Sequence, residues 1–153
     1  MQHVVIIGVG KLREKFFRDA AEEYKKRLSR YVKLDIVEVD DMPEDAGDAT
    51  KKKEGEMILS KIRPDDYVVA NCIDGKQMDS VELSEFFRER EMYGARVVFV
   101  IGGSLGLSDD VVRRANKKLS MSKMTFPHQL FRVMLLEQVY RAQKIIAGER
   151  YHK

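Results

Sequence analysis

Two loops in the last third of the chain hold the residue types that a ligand site needs. The first, Gly102-Gly103-Ser104-Leu105-Gly106-Leu107, follows the apolar run Val97-Val98-Phe99-Val100-Ile101. Glycines at a strand end let backbone approach a ligand closely or adopt positive φ, and strand-end loops are where α/β proteins bind. The second loop, Leu119 to Gln129, interleaves Ser122, Lys123, Thr125, His128 and Gln129 with Met121, Met124 and Phe126. That mixture suits a small molecule with an apolar body and polar edges, adenosine for example. Each loop also has a plain structural reading: a tight turn for the first, and polar side chains satisfied by backbone for the second, with His128 as a helix cap. A third candidate, Gly8-Val9-Gly10 with Asp40 closing the next strand, is half of a dinucleotide fingerprint. Its third glycine position holds Arg13, so a strand-to-helix turn is the better reading.

The elements that must position these loops follow from periodicity. His3 to Ile7 reads as a buried strand. Leu12, Phe16, Ala20, Tyr24 and Leu28, widened by Phe17 and Ala21, form one helical face. Val32, Leu34 and Ile36 alternate with Lys33 and Asp35 as a second strand, and Asp40 to Asp48 is an acidic surface loop. A helix from about Thr50 carries Met57, Ile58 and Ile62; Gly55 weakens it by about 1 kcal/mol relative to alanine. Tyr67 to Ile73 is a third strand, ended by an Asp74-Gly75-Lys76 turn. Asp79 and Glu82 have capping-box spacing before a helix with Leu83, Phe86 and Phe87 that stops at Tyr93-Gly94. Arg96 to Ile101 is strand four. Ser108 caps a helix running to about Lys118, and Leu119 to Met121 is a short fifth strand. Pro127 suits the first turn of a last helix, Leu130 to Ala147. Strands alternating with helices predict an α/β fold with a mostly parallel sheet and helices on both faces, one domain over 1–153.

Composition narrows the function classes. The 153 residues are 44% hydrophobic and 35% charged, a globular balance. No apolar run approaches a membrane span, and the N-terminus reads as a strand, not a leader. The lone Cys72 forms no internal disulfide, and His3, His128 and His152 lack metal-ligand spacing. A cytoplasmic protein without metal is expected. Net charge is only +3, but from Val111 onward Arg113, Arg114, Lys117, Lys118, Lys123, Arg132, Arg141, Lys144, Arg150 and Lys153 are opposed only by Glu137 and Glu149. Such asymmetry favours a polyanionic partner.

The strings FVIGGSLGL, LSMSKMTFPHQLFRVMLLEQVYRAQKI and the terminal YHK resemble the bacterial large-subunit ribosomal RNA pseudouridine N3-methyltransferase family. These are small SPOUT-class (α/β-knot) enzymes that use S-adenosylmethionine. GVGKL near the start and Tyr24-Lys25-Lys26-Arg27 extend the resemblance over the whole chain. It implies a C-terminal trefoil knot, a homodimer with the last helix in its interface, and a ribosomal RNA or ribosome partner. It also implies that the cofactor lies among Asn71, the glycine loop at Gly102 and Gly103, and Met121, Ser122, Lys123, Met124, Thr125 and Phe126. Asn71 departs from the leucine usual in the family.

The implied reaction is an in-line methyl transfer to N3 of a pseudouridine, in which positioning does most of the work. N3 must lose a proton, which calls for a base or a nearby cation. The candidates are His128, Arg132, Arg141, Tyr151 and His152; a histidine titrates in the useful range, and Tyr151-His152 on a terminal tail can reach a neighbouring protomer. Two rival readings stand beside this one: a nucleotide-dependent enzyme using Gly8-Val9-Gly10, and a non-catalytic RNA- or ribosome-binding protein.

Overall fold

Strands buried on both faces need apolar residues at consecutive positions, and that is how the centre of this fold is written. The computed structural model describes residues 1–153. Its strands β1 (Gln2–Val9), β2 (Val32–Val39), β3 (Tyr67–Gln77), β4 (Val97–Ile101) and β5 (Lys117–Ser120) form one parallel sheet in the order β2-β1-β4-β3-β5. β4 is buried along its whole length. Successive side chains alternate faces. Val4, Ile6, Val97 and Phe99 therefore pack under helices α1 (Lys15–Leu28), α3 (Ser80–Glu91) and α5 (His128–Ile146). Val5, Ile7, Val98 and Val100 pack on the other face with α2 (Asp48–Leu59) and α4 (Asp109–Arg114). Helices cover both faces, as the alternation predicts.

The capping signals are real. Asp79 Oδ1 accepts from the Glu82 amide at 2.7 Å and Glu82 Oε1 from the Asp79 amide at 3.2 Å, and Ser108 Oγ accepts from the Val111 amide. At the amino end of β3, the buried Asp66 carboxylate receives Arg96 Nε at 2.8 Å, Arg96 Nη2 at 2.7 Å and the Arg63 amide at 2.7 Å.

Several expectations shift. β3 does not end at Ile73: it continues through Asp74-Gly75-Lys76 because Asn71 and Lys76 both pair with Leu119 of β5, and the residues between bulge outward. α4 stops at Arg114, short of Lys118, because Asn116 bonds to β3 instead. Its amide donates to Val68 O and its Oδ1 accepts from the Val68 amide, both at 2.8 Å. β5 accordingly starts two residues early, at Lys117. Pro127 sits just outside the last helix as its N-cap. Phe16 is not core, being 64% exposed. Gly55 has a packing reason, since a Cβ there would fall on Ser108 Oγ at the start of α4.

Candidate functional site

Three strand ends build a cavity. At the carboxyl ends of β3, β4 and β5, an opening of about 540 Å³, mouth included, is lined by Asn71 to Ile73, by Ile101 with Gly102, Gly103 and Gly106, and by Leu119 to Ser122 and Met124 to Phe126. Phe131 of α5 lines it as well. Small-molecule sites commonly have this mixed apolar and polar lining. The glycine loop doubles back tightly: the Gly106 amide donates to Gly103 O at 3.0 Å, and a Cβ on Gly102 would lie 2.7 Å from the Gly106 carbonyl carbon. Only glycine fits that fold-back. The facing loop is held by its own serines, Ser120 Oγ donating to Ser122 O and Ser122 Oγ accepting from the Met124 amide.

Of the cofactor residues expected from sequence, Asn71, Gly102, Gly103, Met121, Ser122, Met124, Thr125 and Phe126 all line this cavity. Lys123 does not; its side chain is exposed on the outer side of the loop. Cys72, Ile101, Leu119 and Phe131 line it too, and only their positions at strand ends and at the start of α5 hinted at that. Asn71 Nδ2 donates to Val100 O at 2.9 Å, while its Oδ1 is buried without a partner. Burial, helped by Asp74 and opposed by Lys118, pushes the Cys72 thiol up, so it stays protonated at neutral pH and is a poor nucleophile.

A second, polar cleft adjoins the cavity across Gly103, which lines both. It lies between the loop after β1 (Gly10, Lys11, Arg13), the Asp41–Glu44 segment, α2 and the start of α5, where His128 and Gln129 face it. Glu54 of α2 reaches it from beneath. This residue is 5% exposed and went unnoticed in the sequence, where a glutamate in a charged helix defaults to solvent.

The remaining candidates sit elsewhere. Arg132 is not a free cation beside the cavity. It is 1% exposed, its Nη1 donates to Glu38 Oε2 at 2.6 Å, and its Nη2 donates to Gly10 O at 2.9 Å and Val9 O at 3.3 Å. This also removes the dinucleotide reading of Gly8-Val9-Gly10. A Cβ on Gly8 would lie 2.6 Å from Arg132 Nη2, so Gly8 makes room for a guanidinium, which occupies the turn. Arg141, Tyr151 and His152 form a separate cluster. Arg141 covers the Tyr151 ring at 4.7 Å, its Nη1 lies 3.2 Å from His152 Nδ1, and Tyr151 packs edge-on against Tyr140. Burial and then Glu137 push the Tyr151 phenol up, which keeps it a hydrogen-bond donor. Along α5, Arg141 stands roughly 20 Å from His128 at 1.5 Å per residue. No group of His, Cys, Asp and Glu is arranged to hold a metal ion, and no helix is long and apolar enough to cross a membrane.

The chain matches, over residues 1–152, the family described as "Predicted SPOUT methyltransferase". Proteins named "Ribosomal RNA large subunit methyltransferase H" from Bacillus pumilus and Clostridium acetobutylicum are 53% and 54% identical to it, with 99% of each chain covered. A solved structure described as "a probable methylase family protein" from Haemophilus influenzae superposes with a TM-score of 0.58 at 13% identity, over 99% of this chain and 71% of that one. At that identity the likeness speaks for fold alone.

Proposed function

The chain belongs to the SPOUT methyltransferase family, and from that premise we propose that it transfers a methyl group from S-adenosylmethionine to N3 of a pseudouridine in large-subunit ribosomal RNA. The observation that carries the reading is the cavity at the ends of β3, β4 and β5, whose walls are the glycine loop and the Met121–Phe126 loop. Relatives above 50% identity along the full chain carry the name of a ribosomal RNA methyltransferase.

The residues present fit the donor. Ile101, Leu119, Met121, Phe126 and Phe131 offer an apolar slot for a purine, and the unpartnered Asn71 Oδ1 offers an acceptor to an amine or hydroxyl. Gly102 and Gly103 admit the ligand to backbone. When bound, the donor supplies an electrophilic methyl carbon on a sulfonium. The protein's part is to exclude water, align the acceptor nitrogen and take up its proton.

In this reading the active unit is a homodimer, and the C-terminal half is knotted. The Arg141–Tyr151–His152 cluster lies far along α5 from its own chain's cavity, which suits a role at the site of a second copy. With no separate RNA-binding domain, the basic surfaces of the dimer meet a folded substrate recognised by shape.

The test is transfer of labelled methyl to ribosomes from a strain lacking the modification, with intact ribosomes, isolated large subunits and free RNA compared. Incorporation at N3 of one pseudouridine is expected. Absence of transfer to all three, despite donor binding by calorimetry, would refute the reading and favour a non-catalytic RNA-binding role.

A further inference from the structure

We propose that the polar cleft beside the cofactor cavity receives the target nucleobase, and that Glu54 Oε1 accepts the proton that N3 gives up. The inference rests on the reaction proposed above. It arises from the topology, the wall the two spaces share, and the state of one carboxylate.

The chain leaves β1 towards β2 on one side and leaves β4 towards β5 on the other, with β1 and β4 adjacent in the sheet. Loops that part in this way open a crevice outside the carboxyl ends of the strands, and α/β proteins bind ligands there. The cleft occupies that crevice, with Gly10, Lys11 and Arg13 from the first loop and Gly103, Ser104 and Leu105 from the second. Gly103 lines cavity and cleft alike. With no side chain at that position, none stands there between a molecule in one space and a molecule in the other.

Glu54 lies at the base of the cleft. Its Oε2 accepts from the Met42 amide at 3.0 Å, while Oε1 has no protein hydrogen bond and lies 3.5 Å from where a Cβ on Gly103 would be. Oε2 is thus fixed by an amide while Oε1 is open to the cleft, an acceptor available to a donor that enters it. The N3–H of a uracil-type ring is such a donor. Lys11 and Arg13, the latter 2.9 Å from Asp41, supply cations for the flanking carbonyls and phosphates. The other titratable groups facing the cleft are Asp41, Glu44 and His128.

The step balances. N3 forms its bond to the methyl carbon, the donor's sulfur–carbon bond breaks with its electron pair left on sulfur, and the N3 proton passes to Glu54 Oε1. N3 carrying both a methyl group and a hydrogen is a cationic acid, so a carboxylate suffices to take the proton as the bond forms.

Glu54→Gln keeps the volume and an acceptor for the Met42 amide but removes the proton acceptor. We expect the donor's Kd by calorimetry and the KM for unmodified ribosomes to stay within about threefold, with kcat down by about 100-fold or more. The variant's rate should climb steadily with pH where the native enzyme levels off. Leu105→Trp, on the exposed loop at the cleft mouth, should leave donor Kd unchanged and raise KM for ribosomes by about tenfold or more. A Glu54→Gln enzyme that loses donor binding, or retains kcat within about threefold, overturns the proton role. An unchanged KM in Leu105→Trp overturns the location of the base. Failure of the underlying reaction is a different result, since the native protein would then be inactive on unmodified ribosomes.

Discussion

Replacing Gly102 by alanine puts a methyl group into the fold-back of the glycine loop. The added Cβ would stand 2.7 Å from the Gly106 carbonyl carbon, 2.9 Å from its oxygen and 3.0 Å from the Leu107 amide nitrogen. Ordinary contact needs about 3.4 Å or more, and every atom met is backbone, so the loop must move bodily by roughly half an ångström to an ångström. Overpacking of this kind costs about 2 kcal/mol, which in a domain of this size lowers Tm by roughly 4–8 °C. The same displacement pushes one wall of the cavity proposed for the donor, and a loss of roughly 10- to 100-fold in S-adenosylmethionine affinity follows if about 1.4–2.8 kcal/mol of contact is forfeited. Gly148→Ala is the control. Unlike Gly102 it has positive φ, at +69°, but nothing lies within 4 Å of its Cβ, so it carries only a conformational cost of about 1 kcal/mol and no effect on binding. Calorimetric titration beside thermal denaturation reads both quantities. If Gly102→Ala binds the donor as tightly as the native protein, the glycine loop is not a wall of the donor site.

Asp66 yields a pH prediction. Burial alone would raise its carboxyl, but the Arg96 guanidinium and the Arg63 amide outweigh it and hold the group below the usual carboxylate range. A depressed folded value means that its stabilisation is present above the unfolded value of about 3.9 and lost as pH falls through the folded one. Asp66→Asn should therefore cost about 3 kcal/mol by urea unfolding at neutral pH, with the difference from native protein shrinking in strong acid; a constant difference would show that the pair is not what the variant removes. Arg132→Met should cost about 3–5 kcal/mol, because Glu38 and two turn carbonyls lose their donor. If folding is unaffected and only methyl transfer falls, Arg132 belongs with the catalytic groups after all.

Both walls of the cavity were legible in the sequence because their signals are local: glycines after an apolar run, and a polar–apolar loop ahead of a proline-started helix. What escaped depends on contacts distant in sequence. Glu54 looks like a solvated helix charge and Arg132 like a cation free to act at a site, and only the segments packed over them, Asp41–Glu44 and the Gly8–Gly10 turn, make them buried. Asp74-Gly75-Lys76 has turn chemistry, yet the chain bulges there and returns to β5 at Lys76; Asn116 likewise leaves a helical pattern to satisfy the edge of β3. Phe16 fits the apolar spacing of α1 but projects outward, since α5 covers only part of that helix. Periodicity reports the pattern of a face and not what lies opposite it.

The strand order also sets a timetable for synthesis. One edge of β1 takes β2, the next strand in the chain, but its other edge takes β4, which does not exist until residues 97–101 have been made. Until then a nascent chain exposes Val4 to Ile7 along an unpaired strand, the kind of surface that recruits other strands. Pairing across so long a stretch of chain is slow, and α5, made last, brings the guanidinium that fills the turn after β1. The first strand translated is thus among the last to be completed, and ribosome-bound or chaperone-held intermediates of this protein should be open along that edge.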